Sequence, residues 1–442
     1  MAMVVKNNMS AVNTLNILNK NSSALSKSLQ KVSSGMRING AADDASGYAI
    51  SERMRVQIKS LDQDNRNTQN GNSMMRVAEG AVSSTVEILK TLKEKVINAA
   101  NDTNTDIDRK TIQKELDQSI DQIDDNANVT YNGKYLVDGS HNSKTTDTTT
   151  ALTNESMDAA TKKDTALTAL KNRNGESLNI HSTDSVTVSY VHQGQTYTTT
   201  VQVGSLNLDT LLKKTAYNGD NKLENALSIK DASNGTAVVG KDGSGNTVYT
   251  ADMGNAITLT ARTSGTDGQI SGFTMSITDN TGKINKNANA ILDNFTESIR
   301  AQNKSADNSI VLQIGTKANQ AIKVGLTDMR SVALGLKGTD GTTLNVSTQI
   351  KANAAINVLD NALQKALDQQ TTIGSVESRL EYTSSNLTTA SENVQSSEST
   401  IRDADMAKEM TEYTKNNVLL QAAQSMLSQA NQNSSAVLSL LQ

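Results

Sequence analysis

The chain has 442 residues, of which 36% are apolar and 2% aromatic, and its formal net charge at neutral pH is -4. That length leaves room for two to four domains, the charge supplies no basic field for nucleic acid, and no apolar run approaches the ~18 residues that span a bilayer. Cys and Pro are both absent, which excludes disulfides and thiolate metal sites and leaves long helices unbroken.

The opening stretch MAMVVKNNMSAVNTLNILNK has no charged segment followed by an apolar one, so no cleavable secretory signal is expected. Residues 1–40 read as one helix. Ala11, Leu15, Leu18, Ser22, Leu25, Leu29 and Val32 fall at alternating steps of four and three, which places them along one side. Gly35, Asn39 and Gly40 break that helix, and Asp43 and Asp44 can cap the next. A second helix from about 43 to 100 would be about 85 Å long at ~1.5 Å per residue. Its centre, LDQDNRNTQNGNS, is polar; a stripe then resumes at Met75, Ala78, Val82, Thr85, Leu89, Leu92, Val96 and Ala99. After a turn at Asn101 to Asp106, a third helix buries Ile112, Leu116, Ile120, Ile123 and Ala127. TYNGKYLVDG, alternating around Asn132-Gly133, is a hairpin signal.

Past Gly139 the composition shifts. HNSKTTDTTTALTNES is Thr/Ser-rich and aperiodic and reads as a linker; its residues 143–156 are either plain flexible chain or acceptors of O-linked sugars. From about 180 to 280 the chain is β-rich. Val186, Val188 and Tyr190 alternate, turn through His192 to Gln195, and return as Tyr197, Thr199, Val201 and Val203. KDGSGNTVYTAD, AITLTA and FTMSIT add short strands, with KDGSGN as a turn and not a phosphate loop. SIVLQIGTKANQAIKVGL from Ser309 reads as another hairpin. A long helix follows from Ser347 to Ile401, in which Leu359, Ala366, Ile373, Leu380, Leu387, Val394 and Ile401 recur every seven residues.

The last helix, from about 405 to 442, carries Met406, Met410, Tyr413, Leu420 and Leu427 on one face. Val418, Leu419, Ala422, Ala423, Met426 and Ala430 widen that face, and Val437, Leu438, Leu440 and Leu441 extend it. Neither end can bury its stripe alone. The expected fold is mostly α with a β insertion: a long antiparallel helical bundle or coiled coil formed by both termini, and a β-rich outer domain between them. Such a layout suits a building block better than an enzyme built round a cleft. Chemistry is sparse. His141, His181 and His192 lack metal-site spacing, Asp403 and Asp405 read as a solvated or helix-capping pair, and no cofactor or metal is expected.

SSGMRINGAADDASGYAISERM (Ser33 to Met54), TYNGKYL (Thr130 to Leu136), STIRDADMAKEM (Ser399 to Met410) and LLQAAQSMLSQANQNSSAVLSLLQ (Leu419 to Gln442) closely resemble the termini of bacterial flagellins. LQIGTKANQAIKVGLTDMRSVALGL (Leu312 to Leu336) resembles the hairpin that re-enters the flagellin core. The resemblance covers about residues 1–140 and 305–442. The middle, 141–304, is the part that varies among flagellins.

This resemblance implies a non-enzymatic subunit that polymerises with itself into an extracellular swimming filament. Residues 1–42 and 405–442 would form the inner coiled-coil layer, 43–140 and 305–404 a helical rod layer with β-hairpins, and 141–304 a solvent-facing insertion. Assembly contacts are expected at Leu15, Leu18, Leu25, Leu29, Val32, Met410, Leu419, Leu420, Met426, Leu427, Val437, Leu438 and Leu441. It further implies export as an unfolded chain through the flagellar channel, a chaperone gripping the C-terminal helix, and filament cap and hook-junction proteins as partners. A hook–filament junction protein, which shares such termini, is the alternative; the match through SAVLSLLQ favours flagellin.

In many flagellins the segment matching Leu89 to Asn101 is recognised by a Toll-like innate immune receptor, together with a Glu on the next helix. Here it reads LKTLKEKVINAAN, which includes Leu92. Glu94 and Glu115 match, Thr91 stands where activating members have Arg, and Lys95 replaces a Leu. Weak receptor activation is therefore expected.

Overall fold

The computed structural model describes residues 8–217, 221–222, 227–231 and 237–440. Three helices open the chain: α1 (Met9–Ser34), α2 (Ala45–Ala100) and α3 (Asp106–Ala127). The side chain of Asn8 accepts from the Ala11 N–H to start α1. Gly35, at φ 71°, ends it by donating its N–H to the Lys31 carbonyl. The first helix is thus shorter than the expected 1–40, because the left-handed turn falls at Gly35 and not at Gly40. At the start of α3, Thr105 and Asp108 form a reciprocal capping box.

The tight hairpin β1 (Thr130–Tyr131) and β2 (Lys134–Tyr135) then leads into the insertion. Its strands are β3 (Ala151–Asn154), β4 (Ser185–His192), β5 (Gln195–Gln202), β6 (Ala216–Tyr217), β7 (Asn221–Lys222), β8 (Leu227–Asp231), β9 (Val238–Lys241), β10 (Thr247–Tyr249), β11 (Ile257–Ala261), β12 (Ile270–Thr278) and β13 (Phe295–Ile299). Short helices α4 (Leu208–Lys214) and α5 (Lys286–Leu292) lie among them. The chain closes with β14 (Ile310–Gln313), β15 (Ala321–Val324), α6 (Ser331–Leu334), α7 (Gln349–Arg402) and α8 (Met406–Leu440).

Two compact units result. The first comprises residues 1–68, 313–320 and 382–442, the second 69–312 and 321–381, so α2 and α7 contribute to both. In the second unit every member of the α2 stripe, Met75 to Ala99, is at most 1% exposed. Leu116, Ile120, Ile123 and Ala127 of α3 and Leu359, Ala366, Ile373 and Leu380 of α7 are equally buried. Further along α7 the same seven-residue repeat continues at Leu387, Val394 and Ile401, in the first unit, but these are only half-buried.

The two larger antiparallel sheets of the insertion are ordered β13-β3-β11-β8 and β12-β4-β5, and β9 with β10 and β6 with β7 form two-stranded ones. Leu152, Leu259 and Phe295 from the first share one core with Tyr190, Phe273 and Met275 from the second. The chain's only two Phe residues, 273 and 295, meet edge to face at 5.0 Å in that core. The β4–β5 hairpin has the expected register, Val186 opposite Val201 and Tyr190 opposite Tyr197. Gln193 and Gly194 turn it with φ of 50° and 75°, and a Cβ at Gly194 would lie 2.3 Å from the Thr342 carbonyl oxygen.

One expectation fails outright. The Thr/Ser-rich run read as a linker contains β3, an inner strand between β11 and β13 whose four residues are all buried. Its hydroxyls are tolerated inside because they are partnered. Thr153 Oγ1 lies 3.2 Å from Thr258 Oγ1, and the Thr148 hydroxyl donates to the Arg300 carbonyl at 2.6 Å. Thr148, Thr150 and Thr153 are at most 6% exposed, which removes them as sugar acceptors.

Burial pushes the Asp293 carboxyl up to about 6, although it accepts from the Met275 N–H at 2.8 Å; Glu297, also buried, is pushed up to about 7. A carboxyl whose pKa is raised by folding stabilises the fold fully below its unfolded value near 4, and loses that contribution as pH rises through the folded value. We predict that Asp293→Asn, which keeps the acceptor and removes the charge, melts like the wild type at pH 4. At pH 8 it is more stable by roughly 2–3 kcal/mol, read by calorimetry. Equal stability at pH 8 would contradict the assignment.

Candidate assembly surface on the terminal helices

Within the first unit α1 and α8 run antiparallel. Asn8 donates to the Ala430 carbonyl, Asn21 to the Leu419 carbonyl, Asn416 to the Ser28 hydroxyl, and Lys31 pairs with Glu409 at 3.5 Å. Burial repeats along both helices at steps of three and four. On α1 the covered positions run Ala11, Thr14, Leu18, Asn21, Leu25, Ser28, Val32; on α8 they run Glu409, Tyr413, Asn416, Leu420, Ala423, Leu427, Ala430. That is a coiled-coil seam, in which every second layer on α1 is polar.

Several large apolar residues therefore stand outside the seam. Leu15 is 45% exposed, Leu29 52%, Met410 46%, Leu419 42% and Met426 62%; Val12, Ile17 and Val418 are exposed as well. This corrects the α1 stripe. Leu18, Leu25 and Val32 face α8, but Leu15, Ser22 and Leu29 each sit one residue past a seam position, about 100° further round the helix. On α8 the same rotation separates Leu420 and Leu427, in the seam, from Leu419 and Met426, which share a flank one heptad apart. Val437 and Leu438 lie within α8 with side chains outside the described set, and Leu441 lies outside the described residues.

The segments flanking this pair are knotted together around Arg402, which is 7% exposed. Its guanidinium contacts Glu52 at 2.7 Å and stands 5.4 Å from the centre of the Tyr48 ring. Its carbonyl accepts from the Arg37 and Ile38 N–H groups, and Ala404 donates to the Gly35 carbonyl. The hydrogen bond from Arg402 holds the Glu52 carboxyl below its usual range. Ile38, 1% exposed, plugs the same region. Arg402, Glu52, Asn21, Ser28 and Asn416 carry no signal of these contacts in the sequence, because polar residues inside a helical period look like surface until the seam is located.

The α2–α3 candidates divide. Glu94 and Thr91 are exposed, the Thr91 hydroxyl bonding back to the Glu87 carbonyl, and Lys95 pairs with Glu115 at 3.0 Å. Leu92, by contrast, is 1% exposed and belongs to the core, so it presents nothing to a receptor. Among the described residues no group of three or more His, Cys, Asp or Glu is placed to hold a metal ion, and no helix is long and apolar enough to cross a membrane.

The α1–α8 pair therefore leaves an apolar surface uncovered on the single chain. The description of the bacterial flagellin N-terminal helical region matches residues 5–142, and that of the C-terminal helical region matches 356–441. A flagellin of Clostridium tyrobutyricum is 34% identical over 437 residues, covering 97% of this chain and 99% of that protein. A flagellin of Bacillus subtilis (strain 168) is 30% identical over 459 residues, covering 99% and 100%. The flagellar filament 33 kDa core protein of Treponema phagedenis is 27% identical over 440 residues, covering 99% and 100%. The chain belongs to the bacterial flagellin family. It is a structural subunit of the extracellular flagellar filament and not an enzyme; the hook–filament junction alternative is less supported.

Proposed function

We propose that Leu15 and Leu29 of α1, with Met410, Leu419 and Met426 of α8, are the contacts by which copies of this chain hold one another in the filament. Leu18, Leu25, Val32, Leu420 and Leu427 hold the two helices of one subunit together, and Val437, Leu438 and Leu441 extend the assembly surface. The observation that carries this is the exposure of the first group on a helix pair whose seam is already closed. At ~25 cal/mol per Å², covering such side chains contributes on the order of 10 kcal/mol per subunit before ordering costs. Identical subunits joined head to tail through unlike surfaces need not close, and they grow as helices. Residues 1–42 and 405–442 then form the inner layer, 43–140 and 305–404 the surrounding layer, and 141–304 the solvent-facing insertion.

Secretion as an unfolded chain fits the absence of Pro, which removes isomerisation steps lasting tens of seconds or more from refolding. A chaperone would cover the apolar flanks of α8 before export, and the cap and hook-junction proteins would meet the same terminal helices at the filament ends. Sedimentation and negative-stain microscopy of the full chain and of a chain lacking 406–442 test the core of this reading. Long filaments from the full chain alone support it; short rings from the full chain point to the junction protein.

The innate immune receptor is proposed to respond weakly. Thr91 offers no bidentate donor, and Lys95 puts a hydrated charge, engaged by Glu115, where an apolar contact is required. In a reporter-cell assay we predict that Thr91→Arg with Lys95→Leu raises potency by about tenfold or more. Wild-type potency equal to that of an activating flagellin would refute the proposal.

A further inference from the structure

The chain has neither Cys nor Trp, so its thioethers are the side chains an oxidant consumes first, and thioethers react according to access. The methionines among the described residues divide by exposure. Met75, Met157, Met275 and Met329 are at most 2% exposed, deep in the cores. Met410 and Met426 stand exposed on α8, as do Met9 and Met406, the first residues of α1 and α8. Met253, in the loop between β10 and β11 of the insertion, is 62% exposed, the same as Met426. Met426 shares its flank of α8 with Leu419, one heptad earlier. Leu and Met fill similar volumes, so an apolar flank there needs no sulfur. What sets Met426 apart from Leu419 is that it can be turned polar without a change of sequence.

We propose that Met410 and Met426 are oxidation sites: a hydroperoxide converts their thioethers to sulfoxides and bars the soluble subunit from polymerising. A sulfur lone pair attacks one peroxide oxygen, and the S–O bond forms as the O–O bond breaks. The departing oxygen takes up the proton of the transferred one and leaves as water, so the thioether is oxidised to the sulfoxide and the peroxide is reduced. The product puts a strong dipole and an acceptor oxygen on the flanks that neighbouring copies cover. Backbone N–H groups inside a helix are already engaged, so covering that oxygen costs free energy where covering the thioether gained it. This rests on the reading of Met410 and Met426 as assembly contacts. On that reading neighbours also shield both sulfurs, so oxidant stops new growth and spares the filament already formed.

The test treats the soluble full-length subunit with hydrogen peroxide, locates sulfoxides by peptide mass mapping, and reads polymerisation by sedimentation across a concentration series. Oxidation at 410 and 426 is expected to raise the concentration needed for polymerisation by about tenfold or more. Methionine sulfoxide reductases are expected to bring it back. In Met410→Leu with Met426→Leu, treated and untreated protein are expected to polymerise at one and the same concentration. Met253→Leu, in the insertion, keeps the full response. Oxidised wild type that polymerises like untreated wild type, or a double Leu variant that still responds to peroxide, would overturn the proposal. Where the double variant does not polymerise even untreated, the reductase arm decides, and wild type that stays inactive after its sulfoxides are reduced overturns it. Wild-type filaments treated in the same way should gain sulfoxide at 253 and not at 410 or 426. Equal oxidation at all three in the filament would instead overturn the reading of Met410 and Met426 as assembly contacts.

Discussion

Replacing Leu15 and Leu29 together by Ser, or Leu419 and Met426 together by Ser, raises the concentration needed for filament formation while leaving the melting of the second unit unchanged. All four side chains are between 42% and 62% exposed on the isolated subunit, so its own fold loses little when they go. If neighbouring copies cover them, the exposed half of each contributes about 0.7–1.5 kcal/mol to association. Losing two therefore costs about 1.5–3 kcal/mol per subunit, which raises the concentration needed for polymerisation by roughly ten- to a hundredfold. Sedimentation across a concentration series reads this directly. As a contrast, Leu18→Ser, inside the seam, should weaken the α1–α8 pair itself. An outer-row double variant that polymerises at wild-type concentration would remove these residues from the interface.

Arg402→Leu is expected to loosen the first unit while sparing the second. Arg402 is buried, and its ion pair with Glu52, its contact with the Tyr48 ring and its carbonyl's two N–H donors tie residues 36–52 to the α7–α8 junction. Removing the guanidinium leaves the backbone contacts but strips the side chain that packs between them. Glu52 is 40% exposed and is rehydrated, so most of the cost is lost packing and hydrogen bonding, on the order of 2–4 kcal/mol. Lys cannot reproduce the planar fork, so Arg402→Lys should recover only part of the loss. Hydrogen exchange over 36–54 and 399–410 accelerates in the Leu variant, whereas residues 75–99 of α2 exchange as before. Unchanged exchange at the junction would show that the backbone pairing alone holds it.

What could be read from sequence followed the strength of the apolar period. The α2 stripe from Met75 to Ala99 and the α7 repeat from Leu359 to Leu380 are dense in apolar side chains, so period and burial coincide there. On α1 they do not. Apolar letters occur at Leu15 and Leu29, which the seam leaves exposed, and polar letters occur at Asn21 and Ser28, which it covers. A period drawn through apolar residues alone mixes the two faces. β3 is hidden in the sequence for a related reason. Thr148, Thr150 and Thr153 look solvated until their hydroxyl partners, supplied by Arg300, Ile270 and Thr258, are brought in from more than 100 residues away. Leu92 falls within the segment that matches the receptor-facing one, but one helix turn carries both an exposed and a buried face, and Leu92 lies on the buried one.

Thiol labelling tests the central claim most directly, because a chain without Cys can carry a single reporter. Leu29→Cys, Met426→Cys and, as a control on the exposed edge of the insertion, Thr200→Cys would each be labelled as soluble subunit and as polymer. We predict that labelling at 29 and 426 slows by about tenfold or more on polymerisation, and that labelling at 200 is unchanged. Equal labelling of subunit and polymer at 29 and 426 would mean that neighbouring copies do not cover the outer rows of α1 and α8.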